Sequence, residues 1–393
     1  MSNLNNIIMN KSILFSFCVA VLAAVMVACG PSPKQQADQA MNDLIKELNA
    51  AGLSVAVVKN NQIVYTGGFG SKNIEEGTKI GTDDIFRIAS ISKSFTATAI
   101  MQLYEQGKFD LDDDVSPALG LTVRNPNHPD IPITYRMLLS HTSSLNDNLG
   151  YFTLDVIDPD KNVESRKAYN AYAPGTDYEY CNLGFNTLGT LVEIHSGERF
   201  DLYMKKHIIE PLGLNAGFNV DAFDRNQFVT LYDYENGTFK EARDAYRSRA
   251  ADLENYTMGR STLIFSPTGG MKLAPKDLAK HMLVQINQGA WNGVRILKPE
   301  SVKAMQTPYE YADGKESVYG FAISTSTRLI DGETMKGHTG SAYGLYSAMF
   351  FEPEKKFGFV MMTNGCEPKR GGNGFLSIQS DVINALYNIF IKE

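Results

Sequence analysis

Ser90-Ile91-Ser92-Lys93 opens a stretch in which apolar residues recur at helical spacing as far as Gln106. Residues three apart lie on one face of a helix, so Ser90 and Lys93 are predicted to be neighbours in its first turn. Free backbone N–H groups and the helix dipole favour negative charge there. A serine hydroxyl becomes a good nucleophile when a base takes its proton, and lysine can be that base when burial lowers its pKa. The segment therefore predicts a nucleophilic serine with a lysine base, and a helix start with a surface lysine is the alternative.

The second segment whose side chains could take part in catalysis is Tyr180-Cys181-Asn182, which follows the turn Ala173-Pro174-Gly175-Thr176. A tyrosine beside a lysine is expected to have a lowered pKa and to act as a base or proton relay. The Asn182 carboxamide can donate to a substrate amide and also hold the lysine. A buried tyrosine whose hydroxyl is satisfied is the alternative interpretation.

The third segment is His338-Thr339-Gly340-Ser341, where a strand is expected to end. Glycine allows a substrate backbone to approach closely along a strand edge. The backbone N–H groups of Ser341 and Ser90 together are predicted to form an oxyanion hole. A structural histidine at a strand end is the alternative for His338.

Outward from these segments, strand patterns lie at both chain ends and helical patterns lie between them. This order predicts an α+β fold, in which an antiparallel sheet from both ends is flanked by helices and interrupted by a large, mostly helical insertion. We expect the α/β part at about 37–104 and 316–393 and the helical part at about 105–315, within one domain from 37 to 393. The segments predicted in most detail are helices 37–49, 90–106 and 377–391 and strands 53–58, 318–325, 333–338, 345–351 and 357–363.

Composition narrows the function classes. The chain has 393 residues, a net charge of −7 and 43% hydrophobic residues, which is typical of a globular protein. An acidic balance argues against nucleic acid as a partner, because phosphate binding needs a basic face. The histidines and four cysteines show no metal-ligand spacing, so neither a metal nor a cofactor is expected. Whether Cys181 and Cys366 form a disulfide is left open, as is the oligomeric state.

The N-terminus has the pattern of an export signal. Lys11 precedes an apolar run from Ser12 to Ala28, which is followed by Cys29 and Gly30. This resembles a bacterial lipoprotein signal, although Met26 stands where leucine is usual. We therefore expect a signal peptide at 1–28, a lipid on Cys29 and a polar tether at 29–36, with the folded part in the cell envelope. An uncleaved membrane anchor and cleavage without lipid are the alternatives.

Taken together, the chain resembles the penicillin-recognising serine hydrolases. The nearest branch contains class C β-lactamases, D-alanyl-D-alanine carboxypeptidases, D-aminopeptidases and β-lactamase-like esterases. Besides the three segments above, the resemblance rests on Phe86-Arg-Ile-Ala-Ser90, Ile133-Thr-Tyr-Arg-Met-Leu-Leu-Ser-His-Thr-Ser143, Ala173-Pro-Gly-Thr-Asp-Tyr178 and Pro267-Thr-Gly-Gly270. The related motif set of class A enzymes has Ser-Asp-Asn where this chain has Tyr-x-Asn, which points away from class A.

The resemblance implies a β-lactamase/transpeptidase-like fold and an acyl-enzyme on Ser90. In that mechanism Lys93 and Tyr180 share the proton transfers. Asn182, His338, Thr339 and Gly340 contact the substrate. Many family members have lysine where His338 stands, and that charge pairs with a substrate carboxylate. Carboxylate capture is therefore expected to be weaker in this chain and stronger in acid, when the histidine gains charge.

The expected activity is that of a cell-envelope hydrolase of amide or ester bonds, foremost a D-amino-acid peptidase of carboxypeptidase type. A small-ester hydrolase or weak β-lactamase is the alternative among enzymes. A non-catalytic protein that binds cell-wall peptide is the alternative of another class. The intact set of Ser90, Lys93, Tyr180 and Asn182 argues against that last interpretation.

Overall fold

The computed structural model describes residues 30–392 except 312 and 316. The predicted signal peptide at 1–28 and Cys29 lie outside the described residues. The strands are, in chain order, β1 (Gly52–Lys59), β2 (Gln62–Asn73), β3 (Thr78–Lys79), β4 (Phe86–Arg87), β5 (Ala216–Gly217), β6 (Tyr232–Glu235), β7 (Thr238–Glu241), β8 (Lys272–Leu273), β9 (Ala290–Trp291), β10 (Val294–Arg295), β11 (Ser324–Ser326), β12 (Met335–Ala342), β13 (Leu345–Glu352) and β14 (Phe357–Thr363).

Helices surround these strands. The α-helices are α1 (Pro33–Glu47), α2 (Ser92–Glu105), α3 (Ser116–Leu119), α4 (Tyr135–Leu139), α5 (Asn182–Ser196), α6 (Phe200–Met204), α7 (Ala250–Glu254), α8 (Pro275–Ile286), α9 (Pro299–Gln306) and α10 (Ser377–Phe390). The 3₁₀ turns are Ala89–Ile91, Leu154–Ile157, Ser165–Ala168, Val220–Ala222, Arg225–Gln227, Arg243–Tyr246 and Thr262–Phe265, and a π turn spans Lys205–Ile209.

The main sheet has seven antiparallel strands in the order β11-β12-β13-β14-β1-β2-β3. The first strands of the chain therefore pair with the last, with Leu53 opposite Thr363 in β1 and β14. This confirms the predicted α+β class and the sheet built from both chain ends.

The sheet is buried on both faces, so its central strands are continuously apolar. Side chains alternate between faces along a strand. In β1, Leu53, Val55 and Val57 pack in the core beneath α1 and α10. Ala56 and Val58 of the same strand belong to the larger core on the side of the helical region.

Helix α1 begins earlier than the sequence pattern indicated. Ser32 and Gln35 form a capping box, and Pro33 occupies the first turn. Proline suits that position because its missing N–H would have no helical partner. Residues 33–36, which we assigned to a tether, are thus helical.

Three further features differ from the prediction. The region 105–315 is less helical than expected, because short helices and strands alternate in it with long loops. Strand β12 runs from Met335 to Ala342, so the His338 segment lies inside the strand and not at its end. Of the predicted strand 318–325, only Ser324 and Thr325 lie in a strand, β11, because the chain turns back so that the Thr325 N–H donates to the Val318 carbonyl.

A small second sheet fixes the approach to Ser90. Strand β4 pairs with β8, where Arg87 lies opposite Lys272. The N–H of Ile88 then donates to the carbonyl of Met271 at 2.9 Å. These bonds tie the chain just before Ser90 to the segment just after Thr268.

Candidate active site

Ser90 lies in the 3₁₀ turn Ala89–Ile91 that leads into α2. Ala89 has a φ of +49°, a left-handed conformation that costs a non-glycine residue about 1 kcal/mol or more. Ser90 is half-buried while both of its neighbours are buried. The strained turn thus presents the Ser90 side chain at the end of a buried helix.

Lys93 lies beneath Ser90 and is completely buried. Its Nζ donates to Ser90 Oγ at 3.2 Å, to Asn182 Oδ1 at 2.8 Å and to the Thr268 carbonyl at 3.1 Å. Burial lowers the pKa of Lys93 to about 7, although the negative charge of Asp147 opposes the shift. A substantial fraction of Lys93 is therefore neutral near pH 7 and can take a proton from Ser90.

Tyr180 covers Lys93, with the lysine Nζ 4.6 Å from the centre of its ring. The Tyr180 ring also contacts His141 at 4.4 Å between ring centres. Burial raises the pKa of Tyr180, and its hydrogen bond with Ser90 only partly opposes this rise. The expected lowering of the Tyr180 pKa was wrong, because burial desolvates the phenol and raises its pKa instead. Tyr180 therefore suits a protonated relay between Ser90 and a leaving group.

His338 is buried in the middle of β12. Its Nε2 pairs with the Tyr319 hydroxyl at 2.9 Å, and its Nδ1 contacts the Thr339 carbonyl. Burial, with the nearby Lys93, lowers the pKa of His338 to about 3. The histidine thus stays neutral in mild acid, and the gain of charge on which the expected stronger carboxylate capture depends would need strongly acidic pH.

Strand β12 presses against the turn that carries Ser90. A Cβ on Gly340 would lie 2.4 Å from the Ile88 carbonyl oxygen and 3.2 Å from Ala89 Cβ. Only glycine therefore allows this approach. In the described part of the chain, β11 pairs with β12 only as far as Gly337, so the strand edge from His338 onwards has no strand partner. Thr339 is half-buried and Ser341 is exposed, and the Ser341 and Ser90 N–H groups stay the predicted oxyanion donors.

The structure adds two residues that the sequence did not single out. Thr268 accepts from Lys93 through its carbonyl and donates its hydroxyl to Asn182 Oδ1 at 2.7 Å. Asp147 accepts from Asn182 Nδ2 at 2.8 Å. Thr268 belongs to Pro267–Gly270, one of the segments that carry the family resemblance, so the sequence could have indicated it as a site residue. Asp147 lies four residues beyond another such segment and gave no signal of its own.

The described residues allow three further observations, on the cysteines, on metal ligands and on membrane-spanning helices. Among the described residues, Cys181 and Cys366 are buried free thiols, and no group of acidic, histidine or cysteine side chains is suited to a metal ion. The described helices include none that is both long and apolar enough to cross a bilayer.

The fold and the Ser90–Lys93–Tyr180 cluster together are those of serine hydrolases with the β-lactamase and penicillin-binding-protein architecture. The sequence profile named Beta-lactamase matches residues 37–378, and the chain belongs to that family. The resemblance found in the sequence is thereby confirmed.

Known proteins support the same assignment. Protein flp of Staphylococcus aureus (strain MW2) is 22% identical over 347 residues, which cover 84% of this chain but 63% of that protein. The octameric penicillin-binding protein homologue from Pyrococcus abyssi superposes with a TM-score of 0.69 at 26% identity, covering 90% of this chain and 76% of the other. The D-amino acid amidase from Ochrobactrum anthropi SV3, solved with D-phenylalanine, gives 0.68 at 19% identity, covering 92% and 99%.

Proposed function

We propose that the protein hydrolyses amide bonds of D-amino-acid compounds in which the leaving amine carries no free carboxylate. The observation that carries this proposal is the placement of His338, which is buried near Lys93 and bonded to the Tyr319 hydroxyl, where many family members have lysine. The likeness to a D-amino acid amidase supports the substrate class.

The chemistry is acyl transfer. Ser90 Oγ attacks the substrate carbonyl while its proton passes to the neutral Lys93 amine. The resulting oxyanion accepts hydrogen bonds from the Ser90 and Ser341 N–H groups. Tyr180, still protonated, delivers a proton to the departing amine and is reprotonated through Lys93. Water then attacks the acyl-enzyme by the reverse sequence and releases the acid.

Charge decides the choice of leaving group. The His338 ring contacts a carbonyl, a phenol and aromatic rings, none of which is cationic. Arg87 is also buried, but its guanidinium lies over the Tyr343 ring and donates to the carbonyls of Gly269 and Ala245. Among the described residues, neither His338 nor Arg87 therefore offers a substrate carboxylate an available cationic partner to offset its loss of water.

A matched substrate pair tests this proposal. D-alanyl-D-alanine amide and D-alanyl-D-alanine share a scissile bond and differ only in the terminal carboxylate. We expect a kcat/KM at least about tenfold higher for the amide, corresponding to about 1.4 kcal/mol. The ratio should be the same at pH 7 and pH 5, because His338 does not gain charge in that range. A preference for the free acid, or a ratio that moves towards it at pH 5, would contradict the proposal.

Small neutral esters are the second candidate substrates, because the same uncharged surroundings suit them equally. Turnover of p-nitrophenyl acetate without turnover of either dipeptide would favour an ester hydrolase. No turnover and no covalent adduct with any substrate or probe would favour the binding-protein alternative.

The location in the cell envelope is part of the proposal. The apolar run before Cys29 supports export and lipid attachment at that cysteine. Membrane fractionation of the full chain and its Cys29→Ser variant tests this, since only the unsubstituted chain should be found with the membranes. An equal distribution of the two would contradict lipid attachment.

A further inference from the structure

The carboxylate of Asp147 accepts three hydrogen bonds from the start of helix α5 and the residue before it. It accepts from the Asn182 N–H at 2.9 Å, from the Leu183 N–H at 3.0 Å and from the Cys181 thiol at 3.4 Å. The first N–H groups of a helix have no partners within the helix, and a negative charge there also complements the helix dipole. Asp147 thus caps α5 from a distant loop.

The loop that carries Asp147 is itself docked on the same segment. His141 Nδ1 accepts from the Cys181 N–H at 3.1 Å, and the His141 carbonyl accepts from the Glu179 N–H at 2.9 Å. Three consecutive amides, from Cys181 to Leu183, are therefore bound by two side chains of one loop. The distance between this loop and the start of α5 is fixed at several points.

A fourth bond to Asp147 determines how the Asn182 carboxamide points. Asn182 Nδ2 donates to Asp147 at 2.8 Å, while Asn182 Oδ1 accepts from Lys93 Nζ and from Thr268 Oγ1. A carboxylate can only accept, so the NH₂ group must face Asp147. A flipped carboxamide would bring oxygen against the carboxylate and NH₂ against the lysine amine.

We propose that Asp147 is a positioning residue, which holds the Asn182 carboxamide in the one orientation that keeps Lys93 against Ser90. The inference rests on the proposed function, because it assumes that Ser90 and Lys93 carry the reaction. Asp147 forms no hydrogen bond with Ser90 or Lys93 and acts on them through Asn182.

Charge gives Asp147 a second, separable effect. The groups that face or lie near Lys93 from the surrounding elements are Ser90, Asp147, His141, Tyr180, Cys181, Asn182, Thr268 and His338. Burial keeps the two histidines neutral and the tyrosine and thiol protonated. Of these groups, Asp147 therefore carries the charge that acts on Lys93. Its charge raises the pKa of Lys93, so its removal would lower that pKa further.

The test is the pH dependence of covalent labelling by a fluorophosphonate probe, followed by intact mass. Asp147→Asn should slow labelling at least about tenfold at a pH where Lys93 is neutral, because a misplaced base loses rate steeply. It should also move the rising limb of the pH profile to lower pH. Asp160→Asn, which removes an exposed carboxylate of the same chain segment, should change neither.

If Asp147 only capped the helix, Asp147→Asn would lower thermal stability, but the folded variant would keep the wild-type labelling rate and the wild-type pH profile. That result would overturn the proposal. If Asp147→Asn does not fold, Asp147→Glu replaces it and should slow labelling without moving the limb. Labelling by Asp147→Glu at the wild-type rate would overturn the proposal equally. Wild-type protein that is not labelled at all would instead overturn the proposed function, and the positioning role with it.

Discussion

Replacing Ser90 with alanine should reduce turnover by at least about 10⁴-fold and abolish the fluorophosphonate adduct. The side chain supplies the hydroxyl that is hydrogen-bonded to Lys93 Nζ, and Ser90 is half-buried at the start of its helix. Alanine removes that oxygen from a half-buried position, so the fold should persist.

The measurement is intact mass after probe treatment, together with hydrolysis of D-alanyl-D-alanine amide. Ser248→Ala is the matched control, since Ser248 is exposed and its hydroxyl accepts a hydrogen bond from the nearby Ala250 N–H. It should label and turn over like the unsubstituted protein. Full activity of Ser90→Ala would rule out the acyl-enzyme mechanism.

Replacing Lys93 with methionine should lower kcat/KM by about 10³- to 10⁴-fold. Methionine keeps the length of the buried stem but cannot accept a proton. In the unsubstituted enzyme kcat/KM should rise with pH through the Lys93 pKa of about 7, because only the neutral amine is a base. That rising limb should disappear from the residual activity of Lys93→Met.

The control for this prediction is Lys161→Met. Lys161 is an exposed lysine whose partner is Asp155 on the surface, so its removal should leave the rate and the pH profile unchanged. If Lys93→Met kept a rising limb centred near pH 7, another group would have to be the titrating base.

The long, periodic elements were predictable because their signals are local. The apolar runs of β1 and β14 and the helical spacing after Ser90 depend on residues close together in the chain, and their bounds came out within a few residues. The irregular region between them was not predictable in detail. Its conformation depends on tertiary contacts such as the β4–β8 pairing, which joins residues almost two hundred positions apart.

The residues of the candidate site likewise divide into those that local sequence predicts and those that depend on tertiary contacts. Ser90 and Lys93 are neighbours because helical geometry alone brings residues three apart together. Tyr180 and Asn182 were recognised from a motif, but the role of Asp147 was not, because a loop aspartate has no pattern until its partners are known.

The sequence by itself determined the sheet made from both chain ends and the family, and it predicted that Ser90 and Lys93 are neighbours. Tertiary structure alone decided the protonation states of the site. Burial against Tyr319 keeps His338 neutral, and burial over Lys93 keeps Tyr180 protonated. Desolvation depends on every group packed around a side chain, and those groups come from distant parts of the chain, so no local pattern records it.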